Sequence, residues 1–213
     1  MENKDYILSY FDSLIRQDDY DVLNGKKWIN DVIIEFCFEY FKREEFKEYE
    51  AEFCYLGPSV TQLIKMSDAD IGKSILDSIS FENKQLVLIA LNDETSITKS
   101  GGTHWSLLVY YPKVGKIEHY DSSPGEGNQN QAKEFYEKLR IAKCFIKDKL
   151  IHAQCLAQHD SYNCGIHLIS NANAILLKIL KNDSRSVIEI ADQSFIQNMR
   201  YHIMNLISEL AKQ

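Results

Sequence analysis

Three short segments gather the side chains that could do chemistry: Gly101-Gly102-Thr103-His104-Trp105, His119-Tyr120-Asp121-Ser122, and Gln158-His159-Asp160-Ser161-Tyr162-Asn163-Cys164-Gly165. A thiol nucleophile needs a lowered pKa, a base within hydrogen-bonding reach, and a group that orients that base. Cys164 stands where a polar loop gives way to the apolar stretch 165–180, so a thiolate there would feel the positive end of a helix dipole. Each residue also has a plainer role. A cysteine opening a buried helix is most often a small core residue, and an aspartate at a strand end is most often a turn former. A histidine beside a tryptophan can simply be half-buried.

The elements around these residues supply a geometric test. Segments 85–91, 105–111 and 116–120 are short apolar runs rich in β-branched and aromatic residues and bounded by Asn, Gly or Pro, which predicts buried strands. Pro112-Lys113-Val114-Gly115 joins the second to the third, so these two form a hairpin. If Tyr111 faces Lys116 across that turn, Asp121 faces Ser106 and lies diagonally across from His104 on the same side of the sheet. A diagonal of ~7–8 Å suits an imidazole reaching a carboxylate. Asp121 would then fix the tautomer and stabilise the imidazolium. A slip of one residue breaks this pairing. His119 shares a face with Asp121, and His167 lies one helical turn from Cys164, so spacing alone leaves the base open among three histidines.

Helices are expected toward both ends. Ile7, Leu8, Phe11, Leu14 and Ile15 recur at helical intervals and predict an amphipathic helix over 6–17. A second follows over 32–46, with Asn30 as its N-cap, and a third starts at Gly57-Pro58-Ser59 with proline in its first turn. Residues 122–130 read as a loop, 131–142 as a helix, 150–156 as a further strand, and 165–180 and 192–212 as long helices. Helices at both ends and strands between them give an α+β class. No repeat or linker divides the chain, which predicts one domain over 1–213.

Composition narrows the function classes. The 24 Lys and Arg against 31 Asp and Glu leave a net charge of −7, which argues against nucleic acid or an anionic membrane surface as partner. The longest apolar runs fall short of the ~18–20 residues that span a bilayer. Five cysteines without paired spacing, and no cationic-then-apolar start, predict reduced thiols in the cytosol or nucleus. The lack of any CxxC gives no support to a structural zinc site.

The segments THWSLLVY, HYDS and QHDSYNCG resemble the catalytic blocks of the ubiquitin-like-protein-specific cysteine proteases, the sentrin/SUMO-protease family. FDSLIRQDD, WINDVIIEFCFEYF, PSVTQLIK, LIALND and GGTHWSLLVY extend the likeness over most of the chain, toward a deneddylating member. The resemblance implies a papain-like fold with a mixed central sheet flanked by helices. It implies His104 as general base, Asp121 as its orienting acid, Cys164 as nucleophile and Gln158 as the oxyanion-hole side chain. It further implies that Trp28 and Trp105 wall a slot for a terminal diglycine, and that Asp31 pairs with a basic side chain near the tail. The implied partners are a ubiquitin-like modifier, above all the neddylation modifier, and its conjugates such as cullins, cut by a monomer without metal or cofactor; the alternatives are a SUMO- or ubiquitin-directed isopeptidase of the same fold, an acyltransferase, or an inactive modifier-binding pseudoprotease. One departure stands next to the nucleophile, where the family usually has Asp and this chain has Asn163, expected to cap the helix equally well. His159 and His167 also replace commoner residues there, so the pH optimum is expected to differ.

Overall fold

Alternation, not a helical stripe, governs the first turn of the chain. In the computed structural model, which describes residues 5–96, 101–125, 127–142, 146–147 and 149–213, strands β1 (Leu8–Tyr10) and β2 (Ser13–Ile15) pair antiparallel. This replaces the helix expected over 6–17. Leu8, Tyr10, Ser13 and Ile15 are buried while Ser9 and Leu14 face out, a period of two that the hydrophobic spacing also permits. Phe11, with φ of +46°, makes the turn and lies exposed beneath the Arg43 guanidinium.

Helices α1 (Gln17–Asp21) and α2 (Asp31–Tyr40) follow. Asn30 caps α2 as expected, its Oδ1 accepting the Ile33 N–H at 3.1 Å, and residues Phe41–Glu45 widen the end of the helix into a π turn. Strand β3 (Phe53–Leu56), which the sequence reading did not foresee, leads into α3 (Pro58–Met66) with proline in its first turn and then α4 (Ala69–Ser78). The central run gives β4 (Leu86–Asn92), β5 (Trp105–Tyr111) and β6 (Lys116–Tyr120). Beyond it come α5 (Gln129–Ile141), β7 (Ile151–Ala153), α6 (Cys164–Lys181), α7 (Val187–Ile190) and α8 (Gln193–Leu210). Of the five cysteines, Cys144 lies outside the described residues.

Five strands form one mixed sheet in the order β3-β4-β5-β6-β7, parallel at its two outer pairs and antiparallel within. The β5–β6 hairpin has the expected register, Tyr111 opposite Lys116 and Leu107 opposite Tyr120. Both faces are covered, so all seven residues of β4 are buried. Leu86, Leu88 and Ala90 pack with side chains of α2, α6 and α8, whereas Val87, Ile89 and Leu91 pack with Ile64 of α3, Leu76 of α4 and Phe135 of α5. At about 1.5–3 kcal/mol for each fully buried aliphatic side chain, this double-sided core fixes the sheet as a rigid platform. Among the described residues no helix is long and apolar enough to cross a membrane.

Candidate active site

His104 immediately precedes β5 and Asp121 immediately follows β6, so the hairpin register brings them together. His104 Nε2 stands 2.6 Å from Asp121 Oδ1. Two backbone N–H groups complete the carboxylate's shell: Ser123 donates to Oδ1 at 2.9 Å and Asn128 to Oδ2 at 2.7 Å. The loop lies this close because residue 127 is glycine, with φ of +45°; a Cβ there would stand 2.3 Å from Asp121 Oδ2. Burial opposes ionisation of Asp121, but the hydrogen bonds from His104, Ser123 and Asn128 outweigh it and hold the carboxyl below its usual range.

With Nε2 engaged, Nδ1 is the ring nitrogen left for Cys164, whose sulfur is near enough to act on the imidazole. Burial would push this imidazole's pKa down; the bonds and charges of Asp121 and Cys164 overcome that and raise it to about 10. Cys164 is the buried first residue of α6, so the helix N-terminus adds its partial positive charge. An imidazole held between a carboxylate and a thiol can take the sulfur's proton and return it to a leaving group.

The other two histidines do not bridge these groups. His119 is buried in the sheet, its Nε2 bonded to Ser106 Oγ at 2.9 Å and 3.9 Å from Asp121 Oδ2, while its Nδ1 meets His152. His167 is buried with no partner for its Nδ1. Desolvation pushes both down to about 4, so both are neutral where His104 is charged.

Gln158 is anchored beside the nucleophile's loop. Its Oε1 accepts from Ser122 Oγ at 2.7 Å and its Nε2 donates to the Asp160 carbonyl at 2.7 Å, which leaves the second amide hydrogen for another acceptor. Asn163 departs from expectation: its side chain does not cap α6. Its Nδ2 donates to Asp160 Oδ2 at 2.8 Å and its Oδ1 accepts from Arg200 at 2.8 Å, because Asp160 has folded the preceding turn onto itself by accepting the Tyr162 and Asn163 N–H groups.

Cys164 opens into a cavity of about 550 Å³ whose lining includes Trp28, Asp31, Gly101, Gly102 and Trp105. The two tryptophan walls are tied, since Trp105 Nε1–H donates to the Ile29 carbonyl at 3.0 Å. Trp28 is half exposed at the rim, and Asp31, the first residue of α2, is exposed beside it. Gly165 lets α6 approach this wall, for a Cβ there would stand 2.7 Å from Ile29 Cβ.

Sequence reasoning missed several supporting residues. Asp93 holds the turn before the histidine, its carboxylate accepting from the Thr103 and His104 N–H groups and the Thr103 hydroxyl. Asn128, fully buried, donates from Nδ2 to the His104 carbonyl and to Ser106 Oγ while its backbone serves Asp121. A polar pair, Asn92-Asp93, ending an apolar run was a visible signal for the first; the second gave none. Among the described residues, no group of three or more His, Cys, Asp or Glu side chains could hold a metal ion.

No protein-family model matches the chain. Curated relatives do. Sentrin-specific protease 8 of Mus musculus is 37% identical over 210 residues, covering 97% of this chain and 94% of that protein. The Homo sapiens protein of the same name is 36% identical over 97% of this chain and 98% of its own length. NEDD8-specific protease 1 of Arabidopsis thaliana is 26% identical over 98% of this chain and 90% of its own. Among solved structures, the SUMO protease Ulp1 with its catalytic cysteine oxidised to a sulfenic acid superposes with a TM-score of 0.73 at 19% identity, covering 99% of this chain and 90% of that one. The C-terminal Ulp1 protease domain in complex with Smt3, the yeast ortholog of SUMO, gives a TM-score of 0.69 at 19% identity over 98% and 89%. These structural likenesses establish the fold.

Proposed function

We propose, from the premise that this chain belongs to the sentrin-specific protease 8 family of cysteine proteases, that it cleaves after the C-terminal Gly-Gly of a ubiquitin-like modifier, the neddylation modifier. The observation that carries the reading is the imidazole of His104, bonded to Asp121 through Nε2 and acting on Cys164, whose side chain lines a cavity that Trp28 and Trp105 also line.

The chemistry follows from that order. The Cys164 thiolate attacks the glycyl carbonyl, and the developing oxyanion is met by the Cys164 N–H at the start of α6 and by the Gln158 amide. His104, as imidazolium, gives its proton to the leaving amine as the tetrahedral intermediate collapses to a thioester. It then takes a proton from water, which attacks the thioester and frees the modifier and the thiol. Asp121 holds the imidazole throughout. A narrow aromatic slot between Trp28 and Trp105 admits a chain without side chains, which selects diglycine, and Asp31 at the rim suits a basic residue upstream of it. No step calls on a metal or cofactor.

The same chemistry serves two bonds: the peptide bond of a modifier precursor, and the isopeptide bond that joins the modifier to a lysine of targets such as cullins. The enzyme works as a monomer in the cytosol or nucleus, where the thiol stays reduced. The relative named for NEDD8 specificity, and those named sentrin-specific protease 8, support the choice of modifier. Incubation with fluorogenic C-terminal amides of the neddylation modifier, SUMO and ubiquitin tests it. Release from the first, abolished by Cys164→Ala, is expected; release mainly from SUMO or ubiquitin overturns the specificity, and binding without release overturns the enzyme.

A further inference from the structure

Arg200, in the second turn of α8, uses one guanidinium to join the turn that carries Cys164 to the segment that carries Trp28. Its Nε–H donates to Asn163 Oδ1 at 2.8 Å, and its Nη2 donates to the Tyr162 carbonyl at 3.2 Å, in the turn that carries Cys164. On the other side Nη1 donates to the Val22 carbonyl at 2.7 Å and Nη2 to the Lys27 carbonyl at 2.5 Å, in the segment that carries Trp28. The group also lies 5.6 Å from the centre of the Tyr162 ring. Four directed bonds from a planar fork fix the distance between the Trp28 wall and the nucleophile in a way that an ammonium could not.

The charge has a second consequence. The side chain that meets Nε is a neutral amide, with its oxygen toward Arg200 and its nitrogen toward the Asp160 carboxylate. Asn163 therefore stands between the two charges, and the guanidinium is held against the residue that immediately precedes Cys164 and the carbonyl of the residue before that.

We infer that Arg200 is a positioning residue for the cleavage reaction: it holds the Trp28 wall against the nucleophile's turn, and its charge, met at residue 163 by an amide, favours the Cys164 thiolate. This rests on the reading of Cys164 as nucleophile. The other charged or titratable groups around Cys164 are His104 with Asp121 behind it, Asp160 and Tyr162 in the turn, Asp31 at the start of α2 lining the same cavity, and His167 one turn into α6. All of them are the same in wild type, Arg200→Lys and Arg200→Gln, so the contrast between the two variants isolates the charge from the fork.

The pH dependence of iodoacetamide alkylation at the Cys164 peptide, read by mass spectrometry, reports the thiolate without any modifier; KM comes from the fluorogenic modifier amide, and thermal unfolding checks that each variant folds. In Arg200→Gln the alkylation midpoint is expected to rise by about one pH unit, while Arg200→Lys keeps the wild-type midpoint. KM is expected to rise several-fold in both, since neither side chain spans all four acceptors. Equal midpoints in the Lys and Gln variants overturn the electrostatic role, and an unchanged KM overturns the tie to Trp28. If the wild type cleaves no modifier, the assigned activity fails, while the alkylation contrast still decides the effect of the charge.

Discussion

At the scale of single residues, the His104–Asp121 pair links chemistry to stability. His104 has its pKa raised to about 10, above the ordinary ~6.5, so its contribution is fully present below the unfolded value and is lost as pH rises toward 10. Asp121 is depressed, so its share is present above the ordinary ~3.9 and is lost as pH falls through the lower folded value. Between those limits both are ionised and paired. Asp121→Asn removes the charge and forces the wrong tautomer, and turnover is expected to fall by roughly 10³–10⁴-fold. The alkaline decline of melting temperature should also become shallower in that variant between pH 7 and 10. Buried tyrosines and cysteines with raised pKa values add to the decline in both proteins, so the difference between the two curves is the measure. Parallel curves would show that the pair contributes nothing to folding. The facing of His104 and Asp121 was legible in the sequence because a hairpin's register is local information, whereas the choice of His104 over His119 and His167, and of Cys164 as nucleophile, came only from the family resemblance. Asn128 and Arg200 were not legible, since what they touch lies across the fold.

At the scale of elements, the site depends on how closely α6 seats against the segment from Trp28 to Asp31. Gly165 sets that approach: an added methyl would stand 2.7 Å from Ile29 Cβ and 3.1 Å from its Cγ2, so α6 or the Ile29 segment would have to shift. Ile29 also supplies the carbonyl that fixes Trp105. Gly165→Ala should therefore widen the slot and shift Cys164 together, lowering kcat/KM by about 10–100-fold with only a modest fall in melting temperature. Wild-type kcat/KM in a folded Gly165→Ala protein would sink this account of the seating. Elements whose patterning answers to one neighbour were legible: the three central strands, the Asn30 cap, and the two long C-terminal helices. The β1–β2 hairpin was not, because Ile7, Leu8, Phe11, Leu14 and Ile15 fit a helical stripe as well as an alternating pair of strands. The deciding fact is the left-handed turn at Phe11, which leaves that ring exposed. Strand β3 escaped because its four residues gain their pairing from β4, more than thirty residues ahead.

At the scale of the molecule, the site is assembled from both ends of the chain onto a sheet made by the middle. The sheet carries His104 and Asp121, α6 carries Cys164, the N-terminal segment carries Trp28, and α8 reaches back to bind the last two together. Tyr20 and Ser208 hydroxyls meet at 3.1 Å, a second tie between the ends. The apolar face of α8 is thus a support for the site, and stability and activity should separate along it. Ile207 is completely buried two turns beyond Arg200, in the core cluster that includes α6 and the sheet. Ile207→Ala should cost about 2–4 kcal/mol through lost burial and the cavity left behind. For a chain of this size that is a fall in melting temperature of roughly 5–15 °C. With the anchor at Arg200 intact, kcat/KM per folded molecule, counted by Cys164 alkylation, should stay at the wild-type value at temperatures below the transition. Arg200→Lys should behave in the opposite sense, with a small change in melting temperature and a several-fold rise in KM. If Ile207→Ala instead raised KM as Arg200→Lys does, α8 would be transmitting strain along its whole length, and the division between a packing face and an anchoring turn would be wrong.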